Sequence, residues 1–110
     1  MDVQDLFKEE LDEAFQEALF FNKLESELAI FEALIQEVDY FLNLYEEDDL
    51  TPEEKAIRKE DLRMVFDQYS EYKEVVKPLL EEYMIRISKT DRPIHFGYYK
   101  VLKGLREERI

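Results

Sequence analysis

The sequence has 110 residues, no cysteine, only two glycines and three prolines, and a net charge of −13. A chain of this length forms one domain, and the absence of cysteine excludes both disulfide frameworks and thiolate zinc sites. Its many Leu, Glu, Lys and Ala residues favour helix throughout. We therefore predict a single all-α domain over residues 1–110, folded as an antiparallel helical hairpin or a small helical bundle with long coiled-coil-like helices.

The first predicted helix covers residues 3–21. Its apolar positions recur at steps of four and three, as in an amphipathic helix, with acidic residues opposite. They are Phe7, Leu11, Ala14, Ala18 and Phe21. The next step, to Leu24, is again three, which shifts the apolar stripe around the helix. Because an uninterrupted helix of some forty residues is uncommon in a globular domain, we predict a turn or kink at Asn22.

The second predicted helix, residues 23–46, is the most apolar part of the chain. Thirteen of the eighteen residues in 28–45 are apolar, and its polar residues, apart from Glu37, form one narrow stripe. Such a helix is expected to be covered by neighbours on two or three sides. Its three carboxylates argue against a membrane span, which is almost free of charge. Four acidic residues, 46–49, predict the end of this helix.

The third predicted helix covers residues 52–88. Thr51, Pro52 and Glu54 match a capping box with proline at the first helical position. The apolar residues then alternate steps of three and four, which predicts packing along another helix: Leu62, Val65, Tyr69, Tyr72, Val76, Leu79 and Tyr83. Pro78 predicts a kink rather than an end. This helix is longer than the second one, so we expect the first helix to cover the excess.

The C-terminal segment, residues 86–110, is basic and is predicted to form a short helix over residues 94–107. It carries seven basic and three acidic residues, whereas residues 1–50 carry sixteen acidic residues and two lysines. The segment could contact nucleic acid or phosphate, or it could dock on the acidic half of its own chain or of a second copy. We favour docking, because a small basic patch on a strongly acidic protein gains little attraction to a polyanion.

The residue inventory is poor in catalytic chemistry. Nucleophilic catalysis requires an activated Ser, Cys or Lys beside a base, but the chain has one histidine and three serines, all three within strongly helical stretches. We expect His95 to have a structural or surface role. No Glu has a His three residues later, so the di-metal motif of helical bundles is missing. We predict that the protein is not an enzyme and binds no cofactor or metal.

Binding is the remaining class of function. We predict a non-enzymatic protein–protein interaction module, an adaptor, assembly chaperone or inhibitor that forms a homodimer and binds a basic protein partner, without direct contact with nucleic acid or membrane. Interface-type aromatic and apolar residues are predicted to mediate self-association: Tyr40, Phe41, Leu44, Tyr69 and Tyr72. Acidic residues of the first helix are predicted to bind the partner: Asp5, Glu9, Asp12, Glu13 and Glu17.

Two further expectations concern mechanism and location. The regularly spaced carboxylates of residues 2–50 could alternatively imitate nucleic-acid phosphates and block a DNA- or RNA-binding protein. The opening residues, MDVQDLFKEE, carry acids where a secretory signal peptide has a basic region followed by an apolar run. We therefore expect a cytoplasmic protein.

Overall fold

The computed structural model describes the backbone of residues 3–108 and the side chains of residues 8–108. Within this range the chain forms three α-helices and no strand: α1 (Val3–Tyr45), α2 (Pro52–Ser88) and α3 (Phe96–Arg106). The two long helices pack against each other as a hairpin, and the short one packs against α2. The prediction of an all-α hairpin with long helices is confirmed.

α1 is one continuous helix, so residues 3–21 and 23–46 are not separate helices. Of the predicted turn or kink at Asn22, the turn is therefore wrong. Asn lowers helix propensity by only a few tenths of a kcal/mol relative to ordinary residues, and neighbouring contacts outweigh so small a term. The ring of Phe21 contacts Tyr83 edge to face at 6.0 Å, and Arg86 lies 4.3 Å above Phe20. These contacts attach α1 to α2 where the stripe shifts.

The turn between the long helices begins and ends where the sequence predicts. α1 stops at Tyr45, before the acidic run, and Asp49 adopts a left-handed backbone conformation with φ of 63°. The Thr51 hydroxyl then accepts a hydrogen bond from the Glu54 N–H at 3.1 Å, which caps α2. Arg58 closes the turn from the side by donating to the Leu44 carbonyl and to the Glu47 carboxylate.

The long helices bury one line of side chains between them. Leu24, Phe31, Val76 and Leu80 are fully buried there, and the ring of Phe31 stacks on Tyr69 with centroids 5.5 Å apart. The molecule measures 75 × 22 × 15 Å, so its thickness is that of little more than one helix. The expectation that residues 28–45 are covered on two or three sides is therefore wrong, because α2 covers that part of α1 along one side only.

α3 provides the cover that we expected from the first helix. It folds back beside α2 and buries Leu102 and Leu105 in the core formed by the long helices. The helix predicted over residues 94–107 is shorter and covers Phe96–Arg106, because His95 caps it by accepting a hydrogen bond from the Tyr98 N–H at 3.3 Å. α3 lies at the end of the hairpin remote from the turn, so that end has three helices and the turn end has two.

The continuous path of α1 can be tested at Asn22. Proline inside a helix costs about 3 kcal/mol, so Asn22→Pro should separate the N-terminal part of α1 from the rest and lower the helical signal in far-UV circular dichroism. Asn22→Ala should keep or raise that signal. Equal signals from Asn22→Pro and the wild type would mean that the chain already turns at this residue.

Candidate interaction surfaces

The N-terminal part of α1 extends beyond the other helices. We call residues 8–19 the arm. All but one of its side chains, that of Glu17, are exposed, and Leu11 and Phe15 each keep 62% of their surface accessible. At four-residue spacing Leu11, Phe15 and Leu19 form a single apolar ridge. This ridge contacts nothing on α2, because the buried Leu24 lies nine residues after Phe15, two and a half helical turns, and so points the opposite way.

The arm carries its acidic residues on the side opposite the apolar ridge. Glu9, Glu13 and Glu17 precede the three ridge residues by two positions each, about 200° around the helix. Only Glu17 has a cation within 4 Å among the described residues, the Arg92 guanidinium at 3.7 Å. Of the predicted partner-binding residues, these three lie in one row and Asp12 lies beside the apolar ridge. The side chain of Asp5 is outside the described residues.

The predicted self-association residues do not form one surface. Tyr69 is only 7% exposed and stacks on Phe31 inside the hairpin. Tyr72 donates its hydroxyl hydrogen bond to Glu27 of α1, and this bond to a carboxylate raises the pKa of the tyrosine. Tyr40 is exposed, and Phe41 and Leu44 are half-buried. The two α2 tyrosines therefore serve the contact between α1 and α2, while the α1 residues remain accessible.

The structure adds an apolar groove that the sequence reasoning missed. At the turn end, where α3 is absent, one face of the hairpin has an open groove of about 440 Å³. We call it the open groove, and it is lined by Val38, Leu42, Lys59, Leu62, Arg63 and Phe66. The sequence did contain a sign of this groove, because Phe66 lies next to Val65, one of the apolar positions predicted to pack along another helix. Only the knowledge that α3 ends before this region shows that the groove is uncovered.

The opposite face of the turn end is also open. A second depression of about 520 Å³ lies between α1 and α2, and its lining mixes apolar and polar side chains. Tyr40 and Phe41 contribute to it from α1, and Met64 and Gln68 from α2. Both faces of the turn end thus present apolar surface. Surface of this kind marks interaction sites when it is contiguous and bordered by polar residues.

The basic C-terminal segment is docked on its own chain. Arg106 forms a bidentate ion pair with Glu81 of α2, with Nε 2.8 Å from Oε1. The hydrogen bonds from Arg106 lower the pKa of Glu81. The Tyr83 hydroxyl accepts a hydrogen bond from the His95 N–H at 2.8 Å, and the ring of Tyr98 packs edge to face on Tyr83. An ion pair between Arg92 and Glu17 joins the segment to the acidic first half.

In the described part of the chain, no group of three or more His, Asp or Glu side chains is arranged to hold a metal ion. None of the three helices combines the length and the apolar character needed to cross a membrane.

Comparison with known proteins gives no further guide to function. No family profile matches the chain, no curated protein is similar to it, and no solved structure matches it.

The docking of α3 is expected to depend on pH through Glu81. Because Arg106 lowers the folded-state pKa of Glu81, the pair stabilises the fold above the ordinary carboxyl pKa, and this contribution is lost as the pH falls through the lowered value. Both side chains are more than a third exposed, so the contribution is about 0.2–1 kcal/mol.

Glu81→Gln should therefore lower the free energy of urea unfolding at neutral pH and change it little at a pH below the lowered pKa. Glu74→Gln, on an exposed part of α2, is the control. If Glu81→Gln had the same effect at both pH values, the ion pair would not contribute to the docking of α3.

Proposed function

We propose that the protein is a non-enzymatic helical interaction module that self-associates and binds a basic protein partner through the arm. The observation that carries this proposal is the row of Glu9, Glu13 and Glu17 on a segment that extends beyond the other helices. The row lies on the face of α1 that faces α2 further along the helix, and because the arm extends past α2 a partner can reach Glu9 and Glu13 without disturbing the hairpin.

Electrostatics supports a basic partner. Residues 1–50 have sixteen acidic residues against two lysines, and a field of one sign accelerates the approach of an oppositely charged protein. Within the described part of the chain, Arg58 pairs with Glu47 and Arg63 with Glu60, and of the three glutamates in the row only Glu17 has a cation within 4 Å. The row of Glu9, Glu13 and Glu17 therefore keeps most of its charge for a partner.

The exposed apolar surface supports self-association. Side chains such as Phe15, Phe66 and Tyr40 keep half or more of their surface accessible, and burying apolar surface yields roughly 25 cal/mol per Å². The open groove has the volume of a cleft that binds a cluster of side chains or a helix. Two copies would be the smallest assembly that covers such surfaces.

The partner-binding part of the proposal is tested with a triple variant of the arm, Glu9→Gln, Glu13→Gln and Glu17→Gln. The matched control, Glu53→Gln, Glu71→Gln and Glu74→Gln, removes the same charge from exposed positions on α2. Affinity for a panel of basic proteins is measured by surface plasmon resonance at physiological salt and at about 0.5 M salt. We expect at least one panel member to bind, and only the arm variant to weaken that binding, by roughly tenfold or more. Equal weakening by both variants would show attraction to total charge and would contradict a specific site on the arm.

Nucleic-acid mimicry is a second candidate, because Glu9, Glu13 and Glu17 form a row of carboxylates in which, among the described residues, only Glu17 has a cation within 4 Å. A mimic occupies the groove of a DNA- or RNA-binding protein, so it must compete with the nucleic acid. If the panel includes DNA-binding proteins, the chain should displace a labelled duplex from at least one of them, and the arm variant should not. Simultaneous binding of the duplex and the chain would exclude mimicry for that partner while leaving the interaction module intact.

A further inference from the structure

We propose that the arm of one copy docks in the open groove of a second copy, end to end with the second copy's α3. This inference rests on the proposed self-association and specifies its surfaces. One copy contributes the ridge of Leu11, Phe15 and Leu19. The other contributes the six residues of the open groove.

The open groove continues the face on which α3 already lies. Lys59 and Phe66, which line the groove, precede Leu80 by 21 and 14 residues, which are whole heptads, so all three occupy the same face of α2. Leu80 is fully buried in the core that includes Leu102 and Leu105 of α3. This face therefore already binds one helix in the fold, and its remaining length at the turn end has the same apolar character.

The arm is shaped for such a site. Its apolar ridge points away from its own hairpin, so it can enter a groove without interference from the α2 of its own copy. The arm carries five acidic residues and one lysine, whereas the groove has Lys59 on its α2 side, beside Arg63, which is already paired with Glu60. Asp12 flanks the ridge and would lie near Lys59, while Glu9, Glu13 and Glu17 face outward and stay available to a basic partner.

The position of α3 fixes the direction of the arm. α1 continues without a break from the arm into the hairpin, so an arm whose C-terminal end pointed towards α3 would drive the rest of α1 into the space that α3 occupies. The arm must therefore enter with its N-terminal end towards α3, and the remainder of that copy extends towards and past the turn of the first. At 1.5 Å per residue the arm is about 18 Å long, enough to cover the groove between Phe66 and Lys59, which are about 10 Å apart along α2.

The two surfaces in this contact are different, so the contact is heterologous. Each copy keeps one unused arm and one unused groove, and association continues beyond a dimer unless the rotation closes a ring. An isologous dimer, in which the same patch meets itself, would behave differently when variants are mixed. That difference provides the test.

The test uses the full-length chain with one variant for each surface. Phe15→Glu places a charge on the arm ridge, and Phe66→Glu places one in the groove. Ile57→Glu is the matched control, since Ile57 is 64% exposed and lies outside the groove. Because Phe66 also contacts Tyr69, Leu42→Glu is a second groove variant. Circular dichroism establishes that each variant folds, and light scattering after size exclusion gives the mass over a range of concentrations.

We expect the wild type and Ile57→Glu to grow in mass with concentration beyond twice 13.4 kDa, unless a ring closes at a fixed number of copies. Phe15→Glu and each groove variant alone should associate at least about tenfold more weakly. An equimolar mixture of an arm variant and a groove variant should give a dimer and nothing larger, because one intact arm meets one intact groove.

Three results would overturn the inference. Self-association that Phe15→Glu leaves unchanged, or that mixing fails to restore, would show that the copies associate through another surface, and the proposed self-association would stand without this mode. A wild type that is monomeric at every concentration would contradict both this docking mode and the proposed self-association. Binding to basic proteins is measured separately, so that part of the proposed function is judged on its own result.

Discussion

The shape of this protein depends on the shift in the apolar stripe of α1 between Ala18 and Leu24. The helix continues through the shift, so the apolar side chains before it and those after it point in different directions. Those after it face α2 and form the core. Those before it, Leu11 and Phe15, face solvent, which leaves an amphipathic helical segment extending beyond the body of the molecule.

A second constraint is that two helices cover each other along one line only. Every residue that must be buried more fully requires a third helix, and the chain supplies one, α3, for the end remote from the turn. At the turn end Phe66 and Leu42 remain accessible. The same limit therefore accounts both for the buried Leu102 and for the open groove.

Much of the fold could be predicted from the sequence because its signals are local. The Thr51 cap, the bounds of α2 and the end of α1 at Tyr45 each follow from side chains within a few residues of the feature. The path at Asn22 could not, since it depends on contacts of Phe20 and Phe21 with residues more than sixty positions away. For the surfaces, periodicity selected Asp12 together with Glu9, Glu13 and Glu17, although Asp12 lies beside the apolar ridge and outside their row. It could not tell that Tyr69 stacks on Phe31, because interface and core aromatics have the same spacing.

The most direct test of this account is a distance measured along α1. The chain has no cysteine, so spin labels can be placed at Ala14→Cys and Gln36→Cys, two exposed positions on the same side of the helix. Pulsed electron paramagnetic resonance on labelled protein diluted with unlabelled protein then reports the intramolecular distance. A continuous helix predicts one narrow distribution near 33 Å, at 1.5 Å for each of the intervening residues. A broad distribution, or one centred well below that distance, would show that the chain turns near Asn22 and that the arm is not a rigid extension of the hairpin.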